Sequence, residues 1–265
     1  MVTKEDINSF IKRIPPTPKT LQATIQLVNN GELSKAAKIA QSDLALKSYL
    51  IDLVNKPIYG FKHDVNDIGQ IFGILGLPAS QQTLYNYMLS LLSPKSWELF
   101  KLNQNSFQDL QAHLSLKWQK ILEHHGINNK EIESAITLLP ASIIVSEALF
   151  KSKKADVELL RSVNNLDYNT ILQRLCGISL FDICVSIAQT WDMPEEISTI
   201  VFSASGLDPA SDPQINKLAK WMHLLLFYEL SQPMFIEASL NDFIDFQIDY
   251  VQDIYEEFSQ VMEIE

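Results

Sequence analysis

The sequence predicts an all-α fold, and three observations carry that prediction. Only 8 of the 265 residues are glycine, about 3% against a usual 7%, and tight hairpins and phosphate-cradling loops both consume glycine. Apolar residues recur at three- and four-residue spacing along most of the chain, and no segment alternates with the period of a strand. Ser, Thr, Asp and Asn stand ahead of these runs and Gly or Pro behind them, where helices start and stop. With 46% hydrophobic and 20% charged residues, the composition is that of a folded protein with a sizeable core. It excludes disordered, collagenous and disulfide-built chains.

Thr3 and Asp6 form a capping pair for a helix over Thr3–Lys12, and the rigid Ile14-Pro-Pro-Thr-Pro18 break leads into a second helix ending near Asn29, where Asn30-Gly31 stops it. Ser34 starts a short helix to Gln41. Ser42-Asp43 caps the next, whose Ala45, Leu46, Tyr49, Leu50, Leu53 and Val54 form a core-facing stripe that Pro57 ends just after Asn55. Helices follow near Asp67–Leu75 and Pro78–Leu92, and Ser93-Pro94 opens a further short one. A long helix runs from Ser106 to His125 with Gly126 as its C-terminal cap. The next covers Asn128 to Lys151, and Pro140 in its middle kinks or interrupts it. Further helices are expected near Ala155–Val163, Tyr168–Leu175, Ser179–Trp191, Pro194–Ser203, Pro213–Leu230 and Leu240–Met262.

Charge narrows the function classes. Residues 208–265 hold twelve acids against Lys217 and Lys220, and so carry −10 of the net −11. Neither this segment nor the nearly balanced remainder offers the clustered basic face that nucleic acid or an anionic membrane requires. The longest apolar run, around Leu224–Tyr228, falls far short of the roughly 20 residues that span a bilayer, and the charged N-terminus reads as cytoplasmic. Cys176 and Cys184, eight apart, fit neither a metal knuckle nor a disulfide framework and read as small buried hydrophobes.

Catalytic constellations are sparse. His124 and His125 are adjacent helix positions pointing about 100° apart, so they read as favourable partners of the helix C-terminal dipole rather than as a ligand pair. None of the five histidines, His63 and His223 included, has a partner at a recognised zinc spacing. Ser90, Ser142 and Ser203 lack a nucleophile elbow, and neither cysteine has a readable base.

Four segments carry a family resemblance: Ile14-Pro-Pro-Thr-Pro18; Ala37-Lys-Ile39-Ala-Gln-Ser-Asp43-Leu-Ala-Leu46; Leu53-Val-Asn55-Lys-Pro-Ile-Tyr59-Gly60; and Asp67-Ile68 through Leu75-Gly76-Leu77. In this order they resemble the HDOD domain, with Leu44 replacing a proline and Lys56 replacing a serine of the usual pattern. The resemblance extends to about Ser205. It implies an HDOD-like domain over residues 1–205, with an N-terminal helical half to about residue 100 and a degenerate HD-like half after it; residues 206–265 form an acidic helical extension.

HDOD domains look like relatives of the HD phosphohydrolases, which hold a divalent ion with helix-borne His and Asp. Carried over residue by residue, the first histidine falls at His113, the His-Asp dyad at Pro140-Ala141, a further histidine at Leu180 and the closing His-His near Ala204-Ser205. One histidine does not hold a catalytic divalent ion, so no metal, no cofactor and no turnover are expected. His113, beside Leu110, Leu114 and Trp118, reads as a hydrogen-bonded core or pocket-edge residue. Asn55 reads first as the cap of its helix end; with Tyr59 it is also a candidate recognition surface.

In the C-terminal segment Leu240, Ile244, Gln247, Val251, Ile254, Phe258 and Val261 step by fours and threes, as in a coiled-coil seam. Phe243, Phe246, Tyr250 and Tyr255 widen the apolar surface beyond a seam, which favours docking on the protein's own body. Ile244, Val251, Ile254 and Phe258 are otherwise the candidate contacts for a partner or a homodimer. The resemblance implies a non-catalytic regulatory or signal-transduction module with a protein partner or a small ligand. A cryptic metal-dependent phosphohydrolase and a purely architectural scaffold are the rival readings.

Overall fold

The computed structural model describes residues 19–164, 166–190 and 193–264, so the expectations for Thr3–Lys12, for the Ile14–Pro18 break and for Trp191 lie outside the described residues. All regular structure among those residues is helical, with no strand among them.

The first half is α1 (Lys19–Asn29), α2 (Leu33–Ser42), α3 (Leu44–Val54), a 3₁₀ turn at Pro57–Tyr59, and α4 (Ile68–Leu92). Asp43 caps α3 by accepting the N–H groups of Ala45 and Leu46, both at 3.1 Å. Of the expected stripe, Leu46, Tyr49, Leu50, Leu53 and Val54 are buried, whereas Ala45 in the first turn is exposed. α4 breaks at Gly76, whose φ of 68° and ψ of −177° lie in a region only glycine visits freely. Pro78 restarts the helix beyond the break, giving the two expected segments. Leu21, Val28, Ala40, Leu50, Ile71, Phe72 and Leu84 are among the side chains of one core, which takes only Ala112 from beyond α4.

Residues 93–103 form no helix, contrary to the expectation at Ser93-Pro94. The carboxylate of Glu147, 3% exposed, accepts the N–H groups of Glu98, Leu99 and Phe100 in place of helical bonds. The chain therefore wraps a buried carboxyl group that reaches it from a helix almost fifty residues away.

α5 (Gln104–His124) opens with a capping box between Asn103 and Ser106. It closes at Gly126 (φ 65°), with the Ile127 N–H returning to the Leu122 carbonyl at 2.9 Å. α6 (Lys130–Ser134), a 3₁₀ turn at Ala135–Thr137 and α7 (Leu138–Lys151) replace the single helix expected over Asn128–Lys151. Pro140 interrupts it as anticipated, sitting in the first turn of α7 where a missing N–H costs nothing. The stretch Glu131–Lys151 is long and apolar enough to cross a membrane, but it is 94% buried within the protein.

α8 (Lys154–Asn164), α9 (Tyr168–Cys176), α10 (Leu180–Thr190), α11 (Glu195–Ser203) and α12 (Pro213–Leu230) follow as expected. The continuous helix expected over Leu240–Met262 is absent: beyond α13 (Pro233–Glu237) lie a loop, α14 (Ile248–Val251) and α15 (Tyr255–Met262). Tertiary bonds claim the backbone and side chains that a helix would have used. The Asp242 carbonyl accepts the Tyr168 N–H at 2.8 Å, its carboxylate pairs with Arg161 at 2.6 Å, and the Gln247 N–H donates to His223 Nε2 at 3.1 Å. His223 Nδ1–H donates in turn to the Ala204 carbonyl at 2.8 Å, so this buried imidazole is a neutral bracket whose pKa burial holds down.

The C-terminal segment shares one core with residues 100–204. Ile244, Val251, Ile254 and Phe258 are 1–6% exposed inside it and present no free face to a partner.

Candidate functional site

The residues at the HD-motif positions lie on three helices, His113 on α5, Pro140 and Ala141 on α7 and Leu180 on α10. Pro140 and Ala141 are buried in α7, and Leu180 opens α10 at 1% exposure. α7 and α10 pack directly, with the Cys184 thiol donating to the Leu138 carbonyl at 3.4 Å. Burial pushes that thiol up to about 12 and keeps it protonated.

His113 faces α12, and its Nδ1 lies 2.7 Å from Oε1 of Glu229. Lys117, one turn further along α5 and therefore on the same face, reaches Glu229 Oε2 at 2.5 Å. The Glu229 side chain is fully buried. Burial alone would raise its pKa, but hydrogen bonds from His113 and Lys117 outweigh it and hold the group below the ordinary carboxylate value, as an anion. Phe235 meets the His113 ring edge-on at 6.1 Å, and Lys117 lies 4.6 Å over the Tyr228 ring. The HD donor set does not fit a metal here: proline, alanine and leucine offer no lone pair where two ligand positions fall, and the remaining histidine is bound to an internal carboxylate. Sequence reading missed Glu229, although a single acid inside the apolar run Leu224–Leu230 signals a buried anion that needs a cation from another helix.

A second polar group lies where the two halves meet. Asn55 ends α3 and pins the following loop: Nδ2 donates to the carbonyls of Ile51 and Val65, both at 3.0 Å, and Oδ1 accepts the Val65 N–H at 2.8 Å. All of its bonds are internal. Asn55→Ala is expected to lower stability by about 2 kcal/mol, summed over three lost bonds, measured by urea unfolding. Unchanged stability with a lost interaction would instead make Asn55 a recognition group.

Next to it, Lys56 reaches Asp109 of α5 at 2.5 Å. Tyr59, half-buried, lines a shallow cleft of about 120 Å³ between α4 and α5, together with Leu75, Gln82, Thr83, Ser115 and Gln119. Behind it Asn86 Nδ2 donates to Ser115 Oγ and Gln111 Nε2 to the Asn86 carbonyl, each at 3.0 Å. The acceptors Asn86 Oδ1 and Gln111 Oε1 are buried without partners. Gln82 holds the carbonyl of Glu133, a carboxyl pushed up to about 7 by burial and by the neighbouring Glu123.

The adjacent histidines depart from expectation. Their ring centroids are 4.9 Å apart and both rings approach Glu257 of α15. His125 is the C-cap, and the chain turns there into Gly126. His125 N–H still bonds the Ile121 carbonyl at 3.1 Å, so the backbone keeps the helical separation and the side-chain torsions bring the two rings together.

A family model for the HDOD domain matches residues 14–205. The chain belongs to the HDOD domain family. Its two departures from the HDOD motif pattern cost the fold little: Leu44 occupies the first position of α3, a site suited to proline, and points 81% exposed into solvent. Lys56 supplies the ion pair to α5.

Solved structures share the HDOD architecture. An HDOD domain protein of unknown function from Geobacter sulfurreducens matches with a TM-score of 0.62 at 15% identity, over 98% of this chain and 96% of that one. A protein from Shewanella amazonensis named "putative phosphohydrolase" matches with 0.61 at 15% identity, over 97% and 96%. A protein from Marinobacter aquaeolei named "putative signal transduction protein" matches with 0.60 at 19% identity, over 98% of this chain but 64% of that one. At these identities the likeness is one of fold. No curated protein matches the HDOD chain.

Proposed function

We propose that this HDOD protein is a non-catalytic regulatory module that signals by binding a protein segment or a small polar ligand, without turnover. The observation that supports this reading is the state of the HD position: its one surviving histidine is consumed by buried Glu229, and Pro140, Ala141 and Leu180 fill the places of the other donors with apolar atoms. Metal-activated hydroxide and charge neutralisation of a phosphate both need a coordinated ion held by several donors. The recognition surface in this reading is the cleft beside Tyr59, where amide and hydroxyl side chains converge from α4 and α5 at the junction of the two cores.

The test is an assay of the full chain with phosphomonoesters and cyclic dinucleotides in added Mn²⁺ or Mg²⁺. No hydrolysis above buffer is expected. Metal-dependent hydrolysis that disappears in His113→Ala would overturn the reading in favour of a hydrolase, the activity carried in the name of one structural neighbour.

A further inference from the structure

We propose that His124, His125 and Glu257 form a binding site for a divalent transition metal of zinc type, which clamps α15 to the C-terminal end of α5. One ring nitrogen from each histidine and one carboxylate oxygen of Glu257 all lie within 4.8 Å of one another. His124 Nε2 is already 2.8 Å from Glu257 Oε1. Trp221 packs against both rings, 5.7 Å from His124 and 4.7 Å from His125, and limits their rotation. His125 Nε2 is sealed from solvent and has no hydrogen-bond partner.

Two imidazoles and one carboxylate make a donor set that zinc accepts with water in the fourth position, whereas Mg²⁺ and Ca²⁺ demand oxygen throughout. Tetrahedral bonds of about 2.0–2.1 Å place ligand atoms about 3.3 Å apart, so the three must close by at most about 1.5 Å. The side chains of His124 and Glu257, 39% and 43% exposed, have room to do so.

The positive charge of Lys217 beside His125 opposes a metal and limits affinity rather than forbidding it. The site is independent of the HD position, since His113 lies eleven residues earlier on α5, about 16 Å along the helix axis.

The experiment is titration of the full chain with ZnCl₂ at pH 7.5, by calorimetry and by thermal melting. Expected are one zinc per chain with micromolar or tighter Kd and a rise in Tm on the order of 5 °C at saturation. His125→Ala and Glu257→Gln should each weaken binding at least tenfold, and His63→Ala, in an exposed loop, should leave it unchanged. Glu257→Gln changes a part-exposed side chain at constant shape, so its zinc-free melting curve separates a lost ligand from a lost fold. Absence of saturable binding, or binding that survives both ligand variants, overturns the proposal. Hydrolysis that depends on His113 would sink the non-catalytic reading and leave the zinc site standing.

Discussion

Deletion of residues 239–265 is expected to convert the protein into an aggregating chain with no cooperative melt near the full-length Tm. The deleted segment contributes Leu240, Phe243, Ile244, Tyr250, Val251, Ile254, Phe258 and Met262 to the second core, each no more than 9% exposed. Burial of a large apolar side chain is worth about 1.5–3 kcal/mol, and eight of them exceed the roughly 5–15 kcal/mol by which a domain is stable. The deletion also leaves Arg161 without Asp242 and the buried His223 without the Gln247 N–H. Eight acids leave with the segment, so a fresh apolar face is uncovered on a less repulsive chain. Sizing chromatography and thermal melting decide the matter. A truncated chain that elutes as a monomer and melts unchanged would make the segment a free arm, open to partner capture or dimerisation.

What could be read in the sequence was local. Asp43, Gly126 and Pro213 fix helix ends through bonds or φ values set within four residues, and those ends fall where expected. The two failures, at 93–103 and 240–262, are places where a distant side chain outbids the helix for backbone groups: Glu147 for the N–H groups of 98–100, and His223 for that of Gln247. Periodicity identified the apolar set over 240–262 and assigned it the wrong secondary structure, because a looped chain can bury Phe243 and Ile244 consecutively where a helix would separate them by 100°. At the candidate sites the same division holds. Motif position singles out Pro140, Ala141 and Leu180 without any contact, whereas Glu229 and Glu257 stand more than a hundred residues from the histidines they meet.

Replacing Glu229 is expected to be the most damaging single change at the vestigial site. Glu229→Ala removes a fully buried anion and leaves Lys117 and His113 facing the vacated space. Loss of one partner from a buried ion pair costs about 3–5 kcal/mol; both partners here are about a quarter exposed and can turn toward water, so the expected cost is nearer 3 kcal/mol. Glu229→Gln keeps the shape and loses the charge, at roughly half that cost.

The pH dependence has a definite sign. Because the folded-state pKa of Glu229 is held below its usual 4.5, its ionic stabilisation is complete above that value and is lost as the pH falls through the lowered one. The Tm gap between wild type and Glu229→Gln should therefore be full at pH 6 and shrink below about pH 4.5. A gap that stays constant into acid would mean that the buried group is already protonated. In the proposed reading, freeing His113 in this way is expected to give no metal-dependent activity: in Glu229→Ala the histidine faces Mn²⁺ or Zn²⁺ alone, because Pro140, Ala141 and Leu180 still supply no donors, and a single imidazole does not retain an ion against water. A metal-dependent activity that appeared in Glu229→Ala would show instead that Glu229 holds a competent site closed.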